Sequence, residues 1–265
     1  MIRVAQASGP GVVSNILNHP LIVFTVTLVA QGIAAFVGDF LRRRWRPVRK
    51  DEREDLGTVL TAIFTLLSLI IGFTFSMAVT RYDLRKNYEE AEANAIGTEY
   101  VRADLLPAAD AARVRELLRR YLDQRIASYL SREEREIGQV DTDTATLQAE
   151  LWSAIVPASK AQPTVATALA VSGMNDVLNS EGYTQAAWWN RIPIAAWELM
   201  GLIAIACNLL HGYSERQKGL SLIFVLPIIA SISFLLIADI DSPRGGLIRV
   251  LPHNLIVLSQ SMKTQ

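Results

Sequence analysis

The sequence predicts an all-α, multi-pass membrane protein, with four transmembrane helices in two hairpins and an extramembrane helical bundle inserted between them. Three observations predict it. Four apolar stretches, near residues 20–41, 58–80, 192–212 and 219–238, each approach the roughly 20 largely uncharged residues that crossing hydrocarbon requires. The charged segment between the two pairs carries apolar residues at helical spacing and no strand periodicity. Finally, 51% of the chain is hydrophobic although 20% is charged, because few ionisable groups fall inside the four stretches.

The expected organisation is a 1–19 interfacial segment, a first hairpin over 20–80 with a basic linker at 42–57, a helical domain over 81–191, a second hairpin over 192–238 and a tail over 239–265. Pro20 suits the first turn of a helix. Along the first span, Ala30, Ala34 and Gly38 follow the small-xxx-small spacing that lets helices approach closely in lipid. The second span has no proline, and its helical pattern runs on through Arg81 to about Leu106 before Pro107. It predicts one rod of nearly 50 residues, on the order of 70 Å.

In the middle segment, Val114, Leu117, Leu118, Tyr121, Leu122, Ile126 and Tyr129 share one face of a helix over 108–131. A second helix is expected over 144–156, ending at Pro157, and a third after Pro163 using Val165, Leu169 and Val177. The stretch 136–143, with Gly138, is the expected loop. Trp188 and Trp189 precede the third span, where an aromatic belt would hold them at the lipid boundary. A short turn from Gly212 to Gly219 makes the last two spans an antiparallel hairpin, and Pro227 would kink the fourth span midway.

Orientation rests on Lys and Arg near span ends. Nine lie on the side of the first linker and seven on the other. The count leans toward a cytoplasmic linker and an external middle domain, by a margin too narrow to assign a side.

Composition excludes several functions. The formal net charge is +0, so no basic excess exists to bind nucleic acid. His19, His211 and His253 are scattered, and no metalloprotease, nucleophile-elbow or phosphate-loop motif occurs. Catalysis, cofactors and metals are not expected. Glu89, Glu90 and Glu92 read as a solvated helix face. The single cysteine, Cys207, reads as a small buried hydrophobe, Asp39 as the partner of Arg42 and Arg43, and Asn208 as making an interhelical hydrogen bond.

Two features point to transport. On the second span Thr58, Thr61, Thr65, Ser68, Gly72, Ser76 and Thr80 recur at steps of three or four, within an arc of roughly 120°. Such a stripe either packs closely against another helix or forms a pore wall whose hydroxyls partly replace an ion's hydration shell. With no charged ring in this span, weak binding of poorly hydrated anions is favoured. Glu198, an acid inside the third apolar stretch, is a functional candidate by its position.

The run LLSLIIGFTFSMAVTRYDLRKNYEEAEANAIGTE that ends at Glu99, then YVRADLLP to Pro107, and the later DIDSPRGGLIRV over 239–250, resemble the signatures of an uncharacterised bestrophin-like membrane family. More remotely, Gly72–Phe73 and the segment from Val79 to Tyr82 resemble bestrophin anion channels. Those are pentamers with four spans per subunit and a large cytosolic helical region. The resemblance implies a neck at Thr65, Leu69 and Phe73, with Ser76 and Thr80 also lining the passage. Asp239 and Asp241 are too few for the calcium site of calcium-gated members, and the basic first linker conflicts with its external placement in bestrophins.

The expected function is a homo-oligomeric, pentameric anion channel of the chloride type in the plasma (inner) membrane. Its partners would be copies of itself, membrane lipid and small anions. The alternative is a non-conducting scaffold or sensor whose helical domain binds a partner.

Overall fold

The structure is a computed structural model describing residues 16–44, 50–214 and 224–264. Among these residues it is helical and contains no strand. The elements are α1 (Pro20–Arg44), α2 (Lys50–Arg102), a 3-10 turn (Ala103–Leu105), α3 (Ala108–Leu130), α4 (Glu134–Ala161), α5 (Val165–Trp189), α6 (Ile194–Ser214), α7 (Val225–Asp241) and α8 (His253–Lys263). Among the described residues three stretches are long and apolar enough to cross a membrane, Pro20–Arg44, Asp55–Leu105 and Val165–Ser214. The chain divides into two compact units, Met1–Thr80 with Arg191–Ile248, and Arg81–Asn190 with Arg249–Gln265.

In the first unit α1 packs against α6 and α7. The predicted small-residue spacing is used for this contact. Ala34 and Gly38 are buried, and the Gly38 Cα faces the backbone of Leu209 and Tyr213 so closely that a Cβ would collide. Gly212 meets the backbone of Ala35 in the same way. Two glycines, one on each helix, therefore set the α1–α6 approach. Polar side chains fix the register of all three helices: Asn208 Nδ2 donates to Gln31 Oε1 at 3.0 Å, and Gln31 Nε2 donates to Ser231 Oγ at 3.3 Å. In lipid such bonds contribute roughly 0.6–2 kcal/mol each. Asp39 is held by Arg42 and, at 2.7 Å, by Arg43, and Cys207 is buried, both as the sequence suggests.

Several expectations need correction here. Helix α2 begins at Lys50, so the second half of the predicted linker is helical. Pro227 lies in the first turn of α7 rather than midway, where a missing N–H costs no intrahelical bond. The 17 described residues of α7 rise only about 25 Å. The start of the fourth stretch, most of the turn before it, residues 1–15 and residues 45–49 lie outside the described residues.

The second unit is built from the later part of α2 with α3, α4, α5 and α8. Its core includes Ile96, Val114, Leu118, Tyr121, Leu122, Leu151, Ile155, Met174, Val177 and Leu255. Helix α3 presents its predicted face, and the rod ends where Pro107 forces Leu106 into extended backbone (φ −95°, ψ 160°). The expected 136–143 loop is instead the first two turns of α4. Thr144, Leu147 and Leu151 are buried at steps of three and four, and Gln124 Nε2 reaches the Val140 carbonyl at 3.2 Å. Pro157 lies inside α4 rather than ending it. It is exposed, as is Ser153, so the carbonyl it deprives of a partner meets water.

Helix α5 starts at a reciprocal cap, with Thr164 Oγ1 accepting from Thr167 N at 3.1 Å. Of the predicted face only Val177 is buried. Val165 is 89% exposed and Leu169 47%, while Ala170, Gly173, Met174 and Val177 face inward. Small residues allow close packing there, which the larger side chains would prevent. Trp188 does not stand free at a membrane boundary; it packs edge-on against Tyr129 at 5.0 Å. Trp189 is exposed.

Candidate functional site

The rod-like α2 carries the predicted site. At 100° per residue, the side chains that turn inward along its apolar part, Leu67, Thr74 and Ala78, lie on one line. The hydroxyl stripe lies roughly 150° around the helix from that line, and Thr58, Thr61, Thr65, Ser68, Gly72, Ser76 and Thr80 are all exposed. Leu69 and Phe73, 52% and 65% exposed, border it. So Thr65, Leu69, Phe73, Ser76 and Thr80 share one outward flank. Burial within the chain does not explain the stripe, because the buried side chains lie on the opposite flank.

Hydroxyl geometry limits what the flank can offer. Thr61, Thr65 and Thr80 each donate to the carbonyl one turn back at 2.9 Å, as does the inward Thr74 at 2.8 Å. Their protons point into the helix and their lone pairs outward. No charged side chain interrupts residues 58–80. The flank is weakly polar, and bulky and apolar at Leu69 and Phe73.

Glu198 stands elsewhere, on the exposed flank of α6 with Leu202 and Ile205. It is not gathered with the α2 residues.

The acidic cluster of α2 is not a solvated face. Glu90 is exposed, but Glu89 and Glu92 are 1% and 0% exposed. The Glu92 carboxylate pairs with Arg125, itself 2% exposed, and accepts from Thr184 Oγ1 at 3.1 Å and Tyr129 Oη at 3.3 Å. Glu181 stands 3.9 Å from the same guanidinium; burial pushes its carboxyl upward while Arg125 opposes the shift. Desolvation works against the charge on Arg125, yet Glu92, Tyr121 and Glu181 together outweigh it and raise the guanidinium further. Glu89 accepts from Leu255 N at 3.1 Å and Asn254 Nδ2 at 2.6 Å, fastening α8 to α2. Sequence spacing contained a signal for this. Arg85, Glu89, Glu92, Ile96 and Glu99 follow steps of four, three, four and three, the period of a buried stripe.

The second signature is a folded turn. Asp239 accepts from Leu247 N and Ile248 N, both at 2.8 Å. Asp241 accepts from Ile192 N at 3.2 Å and Arg191 Nε at 3.3 Å. Both carboxylates are thus engaged in holding the chain. Among the described residues no three His, Cys, Asp or Glu side chains converge as metal ligands would.

The sequence profile of a family described as Bestrophin-like domain matches residues 29–255. No curated protein matches the chain by sequence. Among solved structures, a single-substitution variant of a bacterial bestrophin homolog from Klebsiella pneumoniae aligns with TM-score 0.64 at 13% identity, covering 91% of this chain and 99% of that one. Another variant of that homolog aligns with TM-score 0.64 at 13% identity, covering 92% and 95%. A further structure of it gives TM-score 0.60 at 14% identity over 92% and 95%. At this identity the likeness establishes a shared fold.

Proposed function

We propose that this chain, which belongs to the bestrophin-like family, is a membrane protein that assembles with copies of itself, as a pentamer, into an anion channel of the chloride type. Helix α2 lines the passage, and four crossings per subunit anchor it in the plasma (inner) membrane, with lipid around the outside. The single observation that carries this reading is the outward hydroxyl flank of α2, left uncovered by the chain's own helices. Thr65, Leu69 and Phe73 form the constriction, followed by Ser76 and Thr80.

The chemistry suits passage without tight binding. The inward-pointing threonine protons make poor ligands for an anion. A ring of phenyl edges at Phe73 offers the positive side of the aromatic quadrupole. Passage is then governed by dewetting of the apolar ring or by tilt of α2. Glu198 faces a neighbouring copy or water, since an acid turned toward lipid costs several kcal/mol.

The test is anion flux into vesicles reconstituted with the purified chain. Wild type conducts, and Phe73→Ala changes the rate or the ion preference. Complete absence of flux in wild type refutes conduction. A second reading, a non-conducting scaffold or sensor, is favoured by one observation: threonines that satisfy their hydroxyls on their own helix can also face lipid. Single cysteines at 65, 72 and 76 in a Cys207→Ser background separate the two. A charged thiol reagent labels them if the flank meets water, and a lipophilic reagent alone labels them if it meets lipid.

A further inference from the structure

Glu99 lies one turn before the end of α2 and is 0% exposed. Neither carboxyl oxygen has a hydrogen-bond partner. This differs from Glu89 and Glu92, whose oxygens are saturated by donors. The site is built around the carboxyl group: Gly173 of α5 has no Cβ, and one added there would strike Glu99 Oε2 and Arg102 Nη1. Glu99 therefore stands where α5 gives up its side chain to admit it. It sits about 20 residues beyond Thr80, in a part of the rod rich in charge and so outside the hydrocarbon.

We propose that Glu99 is a proton-controlled latch between α2 and α5 in the helical domain. Protonated, the carboxyl is a neutral group that fits against Gly173 and lets the helices close. Ionised, it is shut off from bulk water and accepts no hydrogen bond from the Arg102 guanidinium beside it, and the contact opens to solvate it. The charged groups acting on it are Arg102 from its own helix, which favours the ionised form, and Asp176 from α5, which opposes it. Burial dominates and pushes the Glu99 carboxyl up to about 8. The latch does not depend on what, if anything, the chain conducts.

The sign follows from linkage. A carboxyl that titrates near 8 when closed and 4.5 when exposed binds its proton only in the closed form between those values. The opening equilibrium then rises nearly tenfold per pH unit until about pH 8 and levels off beyond it. From pH 6 to pH 9 the open population increases on the order of a hundredfold.

Amide exchange of the full chain in lipid nanodiscs tests this, with wild type and Glu99→Gln compared at the same pH to cancel intrinsic rates. At pH 9 wild-type peptides from α5 near Gly173 exchange at least tenfold faster than those of Glu99→Gln, and at pH 6 the excess disappears. Equal wild-type and variant ratios at the two pH values overturn the proposal. Should Glu99→Gln misfold, the wild type decides alone. Its α5 peptides must gain exchange from pH 6 to pH 9 beyond the intrinsic increase and beyond peptides around Leu118 and Leu151, and equal gains refute the latch.

Discussion

Replacing Arg125 with methionine probes the centre of the helical domain. The guanidinium is 2% exposed and pairs with a Glu92 that is 0% exposed, so the pair has no access to bulk water. Arg125→Met preserves most of the aliphatic volume and removes the charge. It leaves a buried carboxylate with two hydroxyl donors, Tyr129 and Thr184. Breaking a buried pair from one side costs about 3–5 kcal/mol. For a unit of this size a loss of that order lowers the unfolding midpoint by roughly 10–20 °C. The assay is thermal unfolding of the purified full chain in detergent, followed by helicity and by tryptophan emission, since Trp188 packs on Tyr129. Adding Glu92→Gln to Arg125→Met recovers part of the loss at pH 7. A variant as stable as wild type, or no recovery on adding Glu92→Gln, refutes the assignment of Arg125 to a buried charge pair.

Two further outcomes test the membrane unit. Gly212→Leu drives a side chain into the Ala35 backbone and should separate α1 from α6, seen as loss of monodisperse protein on size exclusion, whereas Gly201→Leu, at a glycine with nothing within 4 Å, should not. Asp239→Ala releases the Leu247 and Ile248 amides, at about 1–3 kcal/mol for the pair of lost acceptors; faster tryptic cleavage after Arg244 reports the loosened turn, and an unchanged cleavage rate contradicts its role.

The fold class was legible because the sequence repeats its simplest signals many times. Apolar length marks the spans, and the leucines and tyrosines of α3 mark its buried face by size and period together. Errors arose where size and period disagree. In α5 the inward positions are Ala170, Gly173, Met174 and Val177, so weighting large apolar residues selects Val165 and Leu169, which point away. In α4 the acids and Gly138 resemble a loop, yet the backbone is helical because later residues of the same helix are well packed. The buried acids of α2 were hidden for a different reason. Their spacing is that of a core stripe, but their chemistry is not, and the cation that makes burial tolerable for Glu92 lies 33 residues away.

The candidate site was legible in part for the same reason. Hydroxyl spacing on α2 placed the stripe on one flank, and the structure leaves that flank outward. The narrower choice of Thr65, Leu69 and Phe73 as a constriction came from family resemblance, not from periodicity. What covers the flank depends on other copies of the chain or on lipid, and one chain's periodicity encodes neither.

The inward line of α2 changes character along its length. Through the apolar part it is Leu67, Thr74 and Ala78, with little else buried; past Arg81 it becomes Arg85, Glu89, Glu92, Ile96 and Glu99. Each part limits what can lie beside it. Glu89 and Glu92 in the later part require specific donors, which Arg125, Tyr129, Thr184, Asn254 and the Leu255 amide provide, so the stretch around them is tied to one arrangement of neighbours. The earlier part buries only Leu67, Thr74 and Ala78, and Thr74 satisfies its hydroxyl on its own helix, so it makes no such demand. A helix firmly specified at one end and loosely held at the other can shift at the loose end without breaking a polar network. The proposed gate moved by tilt needs that property, which the apolar half of α2 has and the stretch around Glu89 and Glu92 lacks.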